Sequence, residues 1–69
     1  MESGYYTTDN SDLYFKVSIK SQNDESIEAE VSLYYKKDEY KDHEIETNEN
    51  YKIMKKNITH WKRYSLEDQ

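Results

Sequence analysis

Apolar and polar side chains alternate almost without error across two stretches of the chain. Leu13, Phe15, Val17 and Ile19 fall on one parity, with Tyr14, Lys16, Ser18 and Lys20 between them. After Ser21-Gln22-Asn23-Asp24-Glu25-Ser26 the pattern resumes with Ile27, Ala29, Val31, Leu33 and Tyr35, separated by Glu28, Glu30, Ser32 and Tyr34. A period of two puts one set on each face of a strand, so residues 13–37 predict an antiparallel hairpin with a dry face and a wet, charged face. The single glycine, Gly4, lies outside the turn and the chain has no proline. Primed two-residue turns are thereby disfavoured, and Asn23 and Asp24 are expected to supply the less common backbone angles of a longer polar loop.

The flanks are less regular. Residues 1–12 predict a flexible N-terminal tail, with a short edge strand over Tyr5-Tyr6-Thr7-Thr8 as the alternative. Beyond a turn at Lys36-Lys37-Asp38-Glu39, residues 40–47 alternate again with Ile45 as the one clear core candidate. A charged third strand at the sheet edge is expected there, an exposed loop being the alternative.

From Tyr51 the apolar spacing changes to i, i+3, i+7, i+10 through Met54, Ile58 and Trp61, which predicts an amphipathic helix over about residues 49–64. Asn48 or Asn50 would cap its start, Glu49 would meet its positive end, and Lys62 and Arg63 its negative end. Packing this stripe on the dry face gives an α+β fold: a hairpin or three-stranded sheet carrying one C-terminal helix, with Trp61, Met54 and Ile58 against Phe15, Val17, Val31 and Leu33. Residues 13–66 would form one small domain and residues 67–69 a frayed end.

Composition sharpens this picture. At 69 residues a lone core gives only ~3–5 kcal/mol. With no cysteine there is neither a disulfide nor a thiolate metal site to supplement it. Self-association is the remaining common means, and a homodimer is expected. Only 33% of residues are hydrophobic, which leans towards disorder, but the regular alternation argues for an ordered domain. No apolar run approaches a membrane span and the first residues lack a signal-peptide pattern, so a soluble cytoplasmic protein is expected.

Charge is divided along the chain. Residues 1–50 hold thirteen Asp or Glu against five Lys, a net of −8; residues 51–69 hold five Lys or Arg against two acids, a net of +3. The candidate acidic face comprises Asp24 and Glu25 in the hairpin loop, Glu28 and Glu30 on the wet face, and Asp42, Glu44 and Glu46 beyond it. Carboxylates on alternate strand residues stand ~6.8 Å apart, about two phosphate steps of a nucleic-acid strand. Such rows can present a DNA-like field to a basic protein; the bland reading is a solvated face that maintains solubility. The competing candidate is the predicted helix, where Lys52, Lys55, Lys56, Lys62 and Arg63 mix with aromatic rings as in RNA- and DNA-binding surfaces. Lysine stems covering the edge of a core stripe would give the same pattern.

A short, acidic, cysteine-free chain rich in Tyr, Lys and Glu resembles the host-takeover proteins of bacteriophages. It is similar in character to the DNA-mimic type found in Bacillus phages, which blocks the nucleoid protein HU. The resemblance rests on the acids named above and on composition. It implies a dimer whose acidic surface occupies the DNA-binding site of a basic host protein, in the host cytoplasm.

No residue set suggests catalysis or a cofactor. His43 and His60 lack partners at metal-ligand spacing, although His43-x-Glu-x-Glu could graze a divalent ion. One glycine rules out a glycine-rich phosphate loop or nucleophile elbow. Asn57-Ile58-Thr59 matches a glycosylation acceptor, without consequence in an unsecreted helix. Eight tyrosines exceed what a core of this size needs, so several of Tyr5, Tyr6, Tyr14, Tyr34, Tyr40 and Tyr64 should be exposed, as in binding surfaces.

Overall fold

A computed structural model describes residues 1–9, 11–36 and 44–65, with side chains in the last stretch described from residue 48 onward. Alternation governs nearly all of it. The strands are β1 (Gly4–Thr7), β2 (Leu13–Gln22), β3 (Ser26–Tyr35), β4 (Glu44–Met54) and β5 (Lys62–Arg63). They form one antiparallel sheet in the order β4-β3-β2-β1-β5.

In the β2–β3 pair Phe15 lies opposite Leu33, Val17 opposite Val31 and Ile19 opposite Ala29, so both apolar sets share the dry face. Val17 and Ile27 are its best-buried side chains, at 1% and 0% exposure. Burial of each contributes roughly 1.5–3 kcal/mol. Tyr6 from β1 joins them, with Phe15, Ile19, Ile53, Ile58, Trp61 and Met1 packed around the cluster.

The predicted α+β class is overturned, since no C-terminal amphipathic helix forms. Residues 44–54 continue as one strand along β3, setting Ile53 opposite Ile27 and Tyr51 opposite Ala29. Tyr51 and Ile53 therefore obey a period of two, and Met54 belongs to the other parity. A helix over 49–64 would have buried one stripe but left the edge of β3 facing away from β2 without a partner along most of its length. Pairing provides hydrogen bonds to both strands at once, and tertiary context overrides the local period. Among the described residues that follow, one 3₁₀ turn, Lys55–Asn57, is the only helical segment.

The expected caps acquire other roles. Asn48 has φ +46° at a bulge in β4, the one positive-φ residue besides Gly4 among the described residues. Its N–H donates to Ser32 Oγ at 2.9 Å, and the Ser32 hydroxyl donates to its Oδ1 at 3.2 Å. The short polar side chain that suits asparagine to an N-cap also suits it to left-handed backbone. At the hairpin apex Asn23 avoids positive φ. Its Oδ1 accepts from the N–H groups of Glu25 and Ser26, at 2.8 and 2.9 Å, while its own N–H donates to the Ser26 carbonyl at 2.9 Å.

The N-terminal segment, expected as a tail, contains β1 inside the sheet, between β2 and β5. Its glycine, Gly4, has φ +157°, a backbone angle that other residues rarely adopt, and a Cβ there would also require the tip of the Arg63 side chain, 2.7 Å away at Nη1, to shift. The third strand expected over 40–47 is described from Glu44. Residues 40–43 and 66–69 lie outside the described residues, as does the side chain of Ile45.

Residues 55–61 link β4 at one sheet edge to β5 at the other. Four strand spacings and about eight residues of lengthwise offset separate Met54 from Lys62, on the order of 33 Å across a flat sheet. Eight chain steps reach about 27 Å when fully extended. The sheet must therefore curl around this crossover, and bulges in the β2–β3 and β3–β4 pairings admit the bend. The crossover sets Ile58 and Trp61 on the dry face, Trp61 edge-on to Phe15 at 4.6 Å between ring centroids. The apolar contacts assigned to a helix are thus partly made by a turn.

Candidate functional site

The wet face carries two different surfaces. Towards the end of the sheet opposite the hairpin apex it is aromatic. Tyr14, only 3% exposed, stacks between Tyr34 at 5.2 Å and Tyr64 at 4.5 Å, with Tyr5 tilted beside it at 6.0 Å. The Lys36 ammonium lies over the Tyr64 ring, 5.5 Å from its centroid. The rings use their faces on one another, forming a second small apolar layer. Fewer tyrosines are exposed than composition implies: Tyr6 and Tyr14 are buried, and Tyr5, Tyr34 and Tyr64 half-buried. Tyr40 lies outside the described residues.

Towards the hairpin apex the surface is polar. Asp24, Glu25 and Glu28 are all exposed there. The asparagine-bonded turn fixes the backbone that carries Asp24 and Glu25. The Lys55 N–H donates to the Glu25 carbonyl at 2.9 Å, tying the apex to the end of β4. Glu28 accepts from the Ser21 hydroxyl at 3.0 Å and lies opposite Lys52 in the β3–β4 register. Glu30 does not extend the row as a free charge, because Lys20 pairs with it at 2.8 Å. Backbone pairing sets Glu44 beside Tyr34 and Glu46 beside Leu33. Their side chains, and Asp42 altogether, lie outside the described residues.

The basic residues do not form one surface. Lys52 projects from β4 on the wet face, whereas Lys55 and Lys56 occupy the 3₁₀ turn. Lys62 and Arg63 lie in β5 at the opposite sheet edge, on alternate faces. Both are engaged: Lys62 pairs with Asp9, and Arg63 pairs with Glu2 at 3.3 Å and donates to Tyr6 Oη at 3.0 Å. The Lys62 ammonium, chiefly through its hydrogen bond and then its charge, holds the Asp9 carboxyl below its ordinary value of 3.8. Period 3.6 would have gathered these five cations on one helix; the strand geometry disperses them.

The dry face supplies a feature that sequence reasoning missed. Phe15, Val31, Leu33, Tyr51, Ile53 and Trp61 line an open apolar groove of about 230 Å³ between β4 and the crossover. Its signal was the alternation of Tyr51 with Ile53, which the helical spacing through Met54 concealed.

Among the described residues no group of three or more His, Cys, Asp or Glu is placed to hold a metal ion. No described helix is long and apolar enough to cross a membrane. No protein-family model, curated protein or solved structure matches the chain.

Proposed function

We propose that this protein acts by binding rather than catalysis, and that its acidic hairpin apex occupies the nucleic-acid-binding surface of a basic protein, as the phage DNA mimics do. The observation that carries the reading is the exposure of Asp24, Glu25 and Glu28 together at one end of a hydrogen-bonded hairpin. A rigid turn presents these carboxylates without the ordering cost of a loose loop, which favours a charge-guided encounter. The overall charge of −5 adds long-range attraction towards a basic surface. The acidic row is shorter than the sequence pattern implies, since Glu30 is neutralised by Lys20.

Competition against labelled duplex DNA on a basic nucleoid-associated protein of the HU type tests the reading. The chain should displace the DNA, and the effect should weaken steeply as salt rises. Asp24→Asn, Glu25→Gln and Glu28→Gln combined should reduce displacement by about tenfold or more, equivalent to ~1.4 kcal/mol. Equal displacement by this variant, or a direct gel shift of the DNA by the chain alone, would count against it.

A further inference from the structure

We propose that the outer edge of β4 pairs antiparallel with β4 of a second copy, joining two sheets into one. β4 runs for eleven residues, Glu44–Met54, at the margin of the sheet. Among the described residues no strand pairs along its outer side. A strand edge of that length offers a row of N–H and C=O groups that proteins ordinarily cover, twist away or pair. The opposite margin is β5, only two residues long, so the long open edge is on one side.

Charge selects the occupant. Residues 44–50 carry Glu44, Glu46 and Glu49 and no cation; residues 51–56 carry Lys52, Lys55 and Lys56 and no acid. The segment is therefore antisymmetric in charge about the Asn50–Tyr51 step. Antiparallel pairing around a two-fold axis between Tyr51 and the Tyr51 of a second copy, which sets each residue opposite one of its own face, lays the acidic half of each copy along the basic half of the other. Parallel pairing would set like charges together, at a cost. A segment complementary to its own reversed copy needs only this chain, which is the condition for an isologous interface.

The apolar groove supports the same arrangement. A two-fold axis perpendicular to the sheet keeps both dry faces on one side, so the two grooves meet across the β4 junction. Tyr51, 45% exposed at the groove wall, lies beside the axis. Apolar surface left open on each copy becomes continuous, and burial at the junction supplements a core with six buried hydrophobic residues among those described. The pairing goes beyond the binding reading above and uses none of the three apex acids, so either can fail alone.

Sedimentation analysis of the full chain and two charge-swapped variants tests the pairing. One variant carries Lys52→Glu, Lys55→Glu and Lys56→Glu; the other carries Glu44→Lys, Glu46→Lys and Glu49→Lys. The natural chain should be dimeric, each variant monomeric, and an equimolar mixture of the two dimeric again. Carbodiimide cross-linking of isotope-labelled with unlabelled natural chains gives a second readout that depends on no variant folding. Cross-links should join residues 44, 46 or 49 of one chain to residues 52, 55 or 56 of the other. A monomeric natural chain, folded variants that each remain dimeric, or cross-links confined within single chains would overturn the pairing.

Discussion

Asn48 shows how one side chain fixes a strand. Its positive φ and paired bonds with Ser32 place the bulge that lets β4 follow a curled β3. Asn48→Val should cost roughly 2 kcal/mol, because a β-branched residue is strained in left-handed backbone and cannot accept from Ser32. Asn48→Gly keeps the backbone freedom and should cost less than about half as much; urea midpoints of the two variants give the comparison. Asp9 offers a second check at this scale. The Lys62 ammonium depresses its carboxyl, so the contact favours folding when the carboxylate is ionised, above its unfolded pKa. That contribution is lost as pH falls through the lower folded value. Lys62→Ala should return the Asp9 titration, followed by carbon-detected NMR, towards 3.8. An unchanged titration would mean that the pair does not persist in solution.

At the scale of elements, the crossover and β1 do the work assigned in the sequence to a helix. Trp61 and Ile58 descend onto the dry face from a turn, while β1 inserts between β2 and β5. Trp61→Ala removes the edge-on contact with Phe15 and uncovers the groove wall. It should destabilise by roughly 3 kcal/mol, most of what a core of this size supplies. A double-mutant cycle with Phe15→Ala in urea should return a coupling near ~1 kcal/mol for the ring pair. Near-additive losses would show that the crossover does not hold Trp61 there. The Tyr34, Tyr14 and Tyr64 stack is the corresponding feature of the other face. Alternation marked Tyr14 and Tyr34 as wet, yet neighbouring strands bring enough rings together to exclude water from Tyr14.

In the whole molecule, the sequence determined the β2–β3 pairing and its dry face, because a period of two fixes register once one face must be buried. It also determined the unequal charge of the two segments and the exposed apex acids Asp24, Glu25 and Glu28. The remaining strands depended on partners distant in the chain. The β propensity of Tyr5-Tyr6-Thr7-Thr8 offered a short edge strand only as the alternative to a tail, and Gly4–Thr7 becomes an inner strand because β2 and β5 offer edges on either side. Tyr51, Met54, Ile58 and Trp61 fit a helical stripe locally, yet pairing with β3 satisfies more backbone and packs Ile53, half-buried, against the core cluster. The same choice scattered the five cations, paired Glu30 with Lys20 and opened the apolar groove. Local periodicity records which residues avoid water within a few turns of chain; which strand edge meets which is settled only when the whole chain closes on itself.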